Sequence, residues 1–207
     1  LIAVHAEKYY RSMMAFDNET CNVRETHMME TLHRLMQFHG PQAKAIVWEH
    51  NTHIGDARAT SMKAAGMVNI GQLARQQYGP EKVYLVGFGS YVGSVIAGDA
   101  WGAPMQELEV PEARSGSIEY ELHRQSTRDR FILLNQEGDH HLYNQRIPHR
   151  AIGVVYDPDH EKYGNYVPTI MAQRYDAFVY IDETTALHPL GFPERGHKMP
   201  ETYPFGY

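Results

Sequence analysis

The chain has 207 residues and a formal charge of −6, with 43% hydrophobic and 21% charged residues, an ordinary balance for a globular protein with one good core or two small ones. The acidic balance argues against a nucleic-acid-binding surface, and there is no apolar run of the roughly 18 residues that a membrane span needs. Cys21 is the single cysteine, so no intrachain disulfide can form; this fits a reducing, cytoplasmic compartment, and no catalytic context surrounds the thiol.

In chain order, residues 1–16 read as a helix. Leu1 is not a methionine and Ala3 to Tyr10 already reads as mid-helix without a cap, so a chain that begins inside a larger protein is expected. Asn22 is a candidate N-cap for a second helix from about Val23 to Phe38, with Met28, Leu32, Leu35 and Met36 at helical spacing. Gly40-Pro41 ends it. Lys44 to Trp48 then reads as a buried strand, residues 69–78 as a short helix, and Lys82 to Phe88 as a second strand. Gly87, Gly89, Gly93 and Gly98 follow closely. They match no phosphate-loop or dinucleotide fingerprint, and turns or close backbone approach account for them better.

Pro104 to Val110 suggests an edge strand. Ser115-Gly116-Ser117 can cap a helix through about Arg124. Arg130 to Leu134 reads as a core strand, 136–150 as a polar stretch with His140, His141 and His149, and Ala151 to Tyr156 as a further strand. Pro168 to Arg174 reads as a short helix and Ala177 to Ile181 as the last strand. From His188 onward, proline, glycine and aromatics suggest an irregular wrap. This alternation predicts an α/β fold, a mostly parallel sheet with flanking helices.

The chemistry concentrates in one place. The apolar run from Ala45 to Trp48 stops at Glu49-His50-Asn51-Thr52-His53-Ile54-Gly55-Asp56-Ala57-Arg58. A strand followed by a polar loop is where α/β proteins place ligands, at the carboxyl edge of the sheet. Imidazole titrates near pH 6.5 and is suited to moving protons near neutrality. His50 and His53 therefore form a candidate pair that moves a proton or polarises a carbonyl. Two histidines three residues apart also suit zinc, with Asp56 as a third ligand, but there is no HExxH motif, and one cysteine rules out CxxC. Ordinary structural histidines are the third reading. No metal or other cofactor is assigned.

Other groups carry weaker signals. Arg24 can clamp an anion or carbonyl through its planar fork, while Glu25 in a first helical turn also suits the helix dipole. Asp182-Glu183, at a strand end, could serve acid–base work but reads better as a solvated turn, and His140-His141 reads as surface. No GxSxG elbow is present, so a covalent serine mechanism is disfavoured and histidine-activated water is the natural alternative.

The segment from Trp48 to Thr60, WEHNTHIGDARAT, closely resembles the W-x-H-N-x-H-x-G-D-A-R-A-T stretch of the erythromycin esterase family. Asn22-Val23-Arg24-Glu25-Thr26-His27-Met28 is similar to the family's N-x-R-D-x-H-M. NIGQLARQQYG, LVGFGSYVGSV, Trp101-Gly102-Ala103-Pro104-Met105 and the segment from RAIGVVYDPDH to TTALHPL follow in the family's order, over nearly the whole chain. The resemblance implies that residues 1–207 form a single α/β domain, the C-terminal lobe of a larger protein whose N-terminal half is absent. That half normally carries a Gly-Glu-x-x-His-Gly-like motif, whose histidine would act as general base on water. His50 and His53 would position that water or polarise an ester carbonyl, supported by Asn51, Asp56 and Arg58, with Arg24 as a further candidate.

The implied substrate is a small-molecule ester, macrolide lactones included, and the lobe alone is expected to be inactive. The alternative is a non-hydrolytic metal- or small-ligand-binding module of the same fold. Two positions depart from the family pattern. Glu49 replaces a small residue and would raise the pKa of His50 if it faced that ring. Glu25 replaces an aspartate, one methylene shorter.

Overall fold

A 22-residue helix, α1 (Asn18–His39), leads into the fold of this computed structural model, which describes residues 4, 6, 7, 10, 11, 18–134 and 141–187. Of the expected first helix, residues 4, 6, 7, 10 and 11 are helical; the others lie outside the described residues, as do His140 and the tail from His188. The second expected helix starts earlier than its proposed cap. Asn22 lies inside α1, and its side chain instead secures a neighbouring loop, accepting from Val68 N at 2.8 Å and donating to Gly66 O at 2.9 Å. Gly40, at φ +90°, stops the helix.

Lys44 to Trp48 is not a buried strand. It is irregular and almost wholly exposed, with Ile46 94% and Trp48 84% accessible. Its apolar sequence asks for strands alongside it, and no described strand offers it backbone partners. The chain then makes one helical turn, α2 (Asn51–Ile54). Two 3-10 turns at 57–59 and 61–65 follow, and then α3 (Ile70–Tyr78), whose N-terminus is capped by the Asn69 side chain on Gln72 N. Met28, Met29 and Leu32 of α1 pack against Ile70 and Ala74 of α3.

The main sheet contains β1 (Val86–Ala97), β2 (Gln106–Val110), β3 (Arg130–Leu133) and β6 (Ala177–Thr184), in the order β2-β1-β6-β3. Between them in sequence lie α4 (Ile118–Gln125), α5 (His141–Asn144), β4 (Arg146–Arg150), α6 (Glu161–Gly164), β5 (Tyr166–Ile170) and α7 (Met171–Arg174). The α/β organisation with flanking helices is as expected. Within the sheet, β1 and β6 are parallel, while β2 and β3 join antiparallel, so the sheet is mixed. β3 is an edge strand in this sheet.

β4 and β5 form a separate antiparallel pair. This displaces two expectations. Ala151 to Tyr156 contributes only an isolated bridge, Val155 to Gly98, and the pairing falls on the preceding residues 146–150. Their polar sequence, RIPHR, hid a strand whose His149 and Arg150 are buried and satisfied by carboxylates. Likewise, only Met171–Arg174 of the expected helix from Pro168 is helical, because Tyr166–Ile170 pairs with β4.

The principal core lies between α4, α7 and the sheet: Ile118, Leu122, Ile132, Leu134, Met171, Tyr175, Phe178 and Tyr180 are all buried. The glycines of β1 answer to it. A Cβ on Gly87 would collide with the Tyr175 ring, and one on Gly89 with the Phe178 ring. Gly93, at φ +137°, marks where β1 passes from pairing with β6 to pairing with β2. Close backbone approach therefore explains the cluster. Asp182 belongs to β6, not to a solvated turn, and accepts from the Tyr180 hydroxyl at 2.5 Å. Among the described residues no helix is long and apolar enough to cross a membrane.

A Cβ on Gly71 would fall inside the Ile54 carbonyl oxygen, so α2 and α3 are in contact through backbone. Gly71→Ala forces them apart and should cost about 1–3 kcal/mol, read as a lower urea midpoint with an unchanged m-value.

Candidate functional site

The turn that carries the paired histidines has few backbone partners outside itself, and side chains hold it in place. Asn51 pairs with Phe88 as a strand residue would: its Oδ1 accepts from Phe88 N at 3.0 Å and its Nδ2 donates to Phe88 O at 2.5 Å. Asn69 donates to Thr52 O at 2.7 Å and to Gly55 O, and its Oδ1 accepts from Ala57 N at 3.3 Å. Arg174 donates to Asn51 O at 3.0 Å, and Arg174 O accepts from Asp56 N at 3.0 Å. These contacts fix residues 50–57 against β1 and α3.

His53 is gripped on both ring nitrogens. Nδ1 lies 2.6 Å from Glu25 Oε1, and Nε2 lies 3.2 Å from Arg24 Nη2. A guanidinium can only donate and a carboxylate can only accept, so the ring proton sits on Nδ1 and the Nε2 lone pair faces Arg24. Glu25 is buried and its second oxygen accepts from Ile70 N at 3.1 Å, which ties the pair to the start of α3. Arg24 also lies 3.4 Å from Glu25 Oε1; its Nε is buried and has no partner among the described residues. The extra methylene of Glu25 therefore still reaches His53 and Arg24.

His50 caps α2. Its Nδ1 accepts from Thr52 N at 3.3 Å and lies 2.9 Å from Thr52 Oγ1, so a neutral ring carries its proton on Nε2. Partial desolvation, and then the neighbouring His53, hold its pKa below the ordinary histidine value. Glu49 does not act on His50 as its sequence position suggested. Its electrostatic neighbours are His53, Glu25 and Arg24, and desolvation raises its pKa; Oε2 has no partner among the described residues. His50, His53, Arg24, Glu25 and Glu49 thus form one cluster.

Asp56 and Arg58 belong to a different network. Asp56 is buried and accepts from Arg58 Nε at 2.9 Å and Nη2 at 2.6 Å. Arg75 bridges Asp56, at 3.4 Å, to Asp176, at 2.9 Å. Despite burial, these cations keep the Asp56 carboxyl below its ordinary range. None of these bonds goes to His50 or His53, so the pair secures the loop behind the cluster. Among the described residues no three His, Cys, Asp or Glu side chains gather as a metal-ligating group.

Sequence reasoning missed a second buried layer. His149 and Glu119 are both fully buried, with Nδ1 2.5 Å from Glu119 Oε1. His149 Nε2 faces Tyr175 Oη at 3.2 Å and Asn51 Nδ2 at 3.4 Å, so the dyad braces the amide that clamps Phe88. Burial pushes the His149 pKa below its ordinary value. No local signal marks these residues: Asn51 and His149 are 98 residues apart.

A family model described as erythromycin esterase matches residues 1–184. Three solved structures share the fold. A protein from Bacillus cereus superposes with a TM-score of 0.65 at 18% identity, over 81% of this chain and 40% of its own. A succinoglycan biosynthesis protein gives 0.61 at 17% identity, over 80% and 39%. A mutant of the erythromycin esterase EreC in its open conformation gives 0.56 at 16%, over 79% and 38%. The chain thus spans about two fifths of the length of these solved neighbours.

The depressed His149 has a consequence for stability. Unfolded histidine takes up its proton near pH 6.5 and the folded ring only below that. As pH falls through 6.5 the unfolded state therefore binds more protons, and stability drops by up to about 1.4 kcal/mol per pH unit; above that range this contribution is flat. His149→Gln should be less stable at pH 7 but decline more shallowly towards pH 5 in urea titrations. An equally steep decline would mean that His149 does not carry the effect.

Proposed function

The chain belongs to the erythromycin esterase family, and from that premise we propose that it is one α/β lobe of a cytoplasmic carboxylic ester hydrolase acting on a small-molecule ester or macrolide lactone. The observation that carries this reading is the cluster in which His53 is held between Glu25 and Arg24, with His50 beside it at the start of the same turn.

In this reading water attacks the ester carbon. Its oxygen bonds to that carbon, its proton passes to a general base, and the resulting tetrahedral oxyanion collapses with loss of the alcohol, which takes up a proton. The general base comes from the N-terminal half of a family-length chain. His50 carries its proton on Nε2, where the ring also hydrogen-bonds to the Ile152 backbone; turned to a substrate, that N–H is suited to polarising the carbonyl or orienting the water. Arg24 supplies donors for the developing oxyanion. His53 and Glu25 aim Arg24 rather than abstract a proton, because the His53 lone pair is already engaged. Asn51, Asp56 and Arg58 support the loop.

The test is ester and lactone hydrolysis by the longer polypeptide and by these 207 residues alone. In the longer chain His50→Ala and Arg24→Ala should each lower kcat/KM by roughly 100- to 10,000-fold, with folding checked by circular dichroism. The 207-residue chain should give no turnover above background. Turnover by it that His50→Ala abolishes would place the whole catalytic apparatus here. Stoichiometric bound metal lost on His53→Ala would favour the non-hydrolytic metal-binding alternative.

A further inference from the structure

Beside the histidine cluster lies a cleft of about 1520 Å³. Its floor is the apolar face of α1 and α3, through Leu32, Met36, Ile70, Ala74 and Tyr78, and its two walls are residues 45–48 and 83–86 with Phe88, which meet at the histidine end where the Trp48 and Phe88 rings lie 5.8 Å apart. Both walls expose apolar side chains: Ile46, Val47 and Trp48 on one, Tyr84 and Phe88 on the other.

Both walls also leave backbone unpaired. Among the described residues, no backbone hydrogen bond involves 44–49. On the opposite wall, β1 pairs with β6 from Val86 to Gly93 on one edge and with β2 only from Gly93 to Ala97 on the other. The N-terminal half of that second edge has no strand. Leu85 bonds to Asp176 on the β6 side, whereas the N–H and C=O of Phe88 face away from β6 and are taken by the Asn51 side chain. Alternation along a strand then turns Val86 and Tyr84 towards the cleft. An exposed, apolar, unpaired edge is what soluble folds avoid.

We propose that this cleft receives one extended, largely apolar segment of about five residues, which adds as a strand to the open edge and packs on α1 and α3. The donor is the N-terminal half of the family-length chain, so this inference rests on the lobe reading above. More than half of each solved neighbour lies beyond the part this chain covers, and Lys44-Ala45-Ile46-Val47-Trp48 has the near-continuous apolar sequence of a strand buried on both faces. The segment runs directly into His50, so filling the cleft also sets the position of that ring.

Amide hydrogen exchange, compared between the 207-residue chain and the longer polypeptide made by adding the upstream coding sequence, tests this without any assay of hydrolysis. Amides of 45–48 and of Tyr84 and Val86 should exchange freely in the short chain and at least about 100-fold more slowly in the long one. In the long chain Ile46→Asp should restore fast exchange on both walls, whereas Phe131→Asp, at an exposed apolar position on β3, should not. Where Ile46→Asp fails to fold, the comparison of the two unmutated chains still decides. The proposal is overturned by either wall remaining fast in the long chain. Protection of the short chain that grows with its concentration, showing a second copy in the cleft, would overturn it too. So would an efficient disulfide between Ile46→Cys and Val86→Cys in the long chain, showing the walls paired with each other, or a reading frame with no upstream coding sequence. Protected walls in a chain that hydrolyses no ester would leave this inference standing while the catalytic reading fell.

Discussion

The two hydrogen bonds between the Asn51 amide and the backbone of Phe88 are the contact on which the site depends. Asn51 lies between His50 and His53, so whatever positions it positions both rings. A side-chain amide has the donor and acceptor of a peptide group and can occupy the place of a neighbouring strand. Asn51 does this where β1 lacks one. The same amide touches His149, which Glu119 orients from below. The fixed turn is thus joined to the buried core and does not hang from the surface.

Charge is used the same way deeper in the fold. Arg150 is buried, yet its guanidinium reaches Glu161 at 2.6 Å, the carbonyls of Ser90 and Tyr91 at 2.9 and 2.8 Å, and that of Pro111 at 2.7 Å. A buried cation is costly unless every direction is answered. Here the answers come from β1, the loop after β2 and α6, so one side chain ties the β4–β5 pair to the main sheet. Arg174 lies under the site and donates to Asn51 O and Thr169 Oγ1, although its Nε has no partner among the described residues. Both are planar forks with several fixed donors, a geometry lysine does not offer.

Within the site the two histidines are not equivalent. His53 has both nitrogens committed, to Glu25 and Arg24, and so acts as an intermediary that holds a guanidinium. His50 uses Nδ1 to close its own turn and, among the described residues, meets only the Ile152 backbone with its Nε2–H. Spacing alone makes them look like a matched pair; only their partners assign them different tasks.

Much of this was legible in the sequence because it is local. The helical spacing in α1, the Ser117 cap of α4, the apolar run of β6 and the motif from Trp48 to Thr60 each depend on residues a few positions apart, and they were sufficient for the α/β class and the family. The tertiary structure decided what depends on distant partners. Lys44 to Trp48 has a strand's composition, but a strand exists only when another edge supplies its hydrogen bonds, and here none does. RIPHR looks like loop, but its buried His149 and Arg150 meet Glu119 and Glu161, and that satisfaction makes a strand of polar residues tolerable. Asp56 and Arg58 follow His53 by only three and five residues, yet Arg75 and Asp176 draw them into a separate network. Local pattern reports what a residue can do; which partner reaches it across the fold determines what it does.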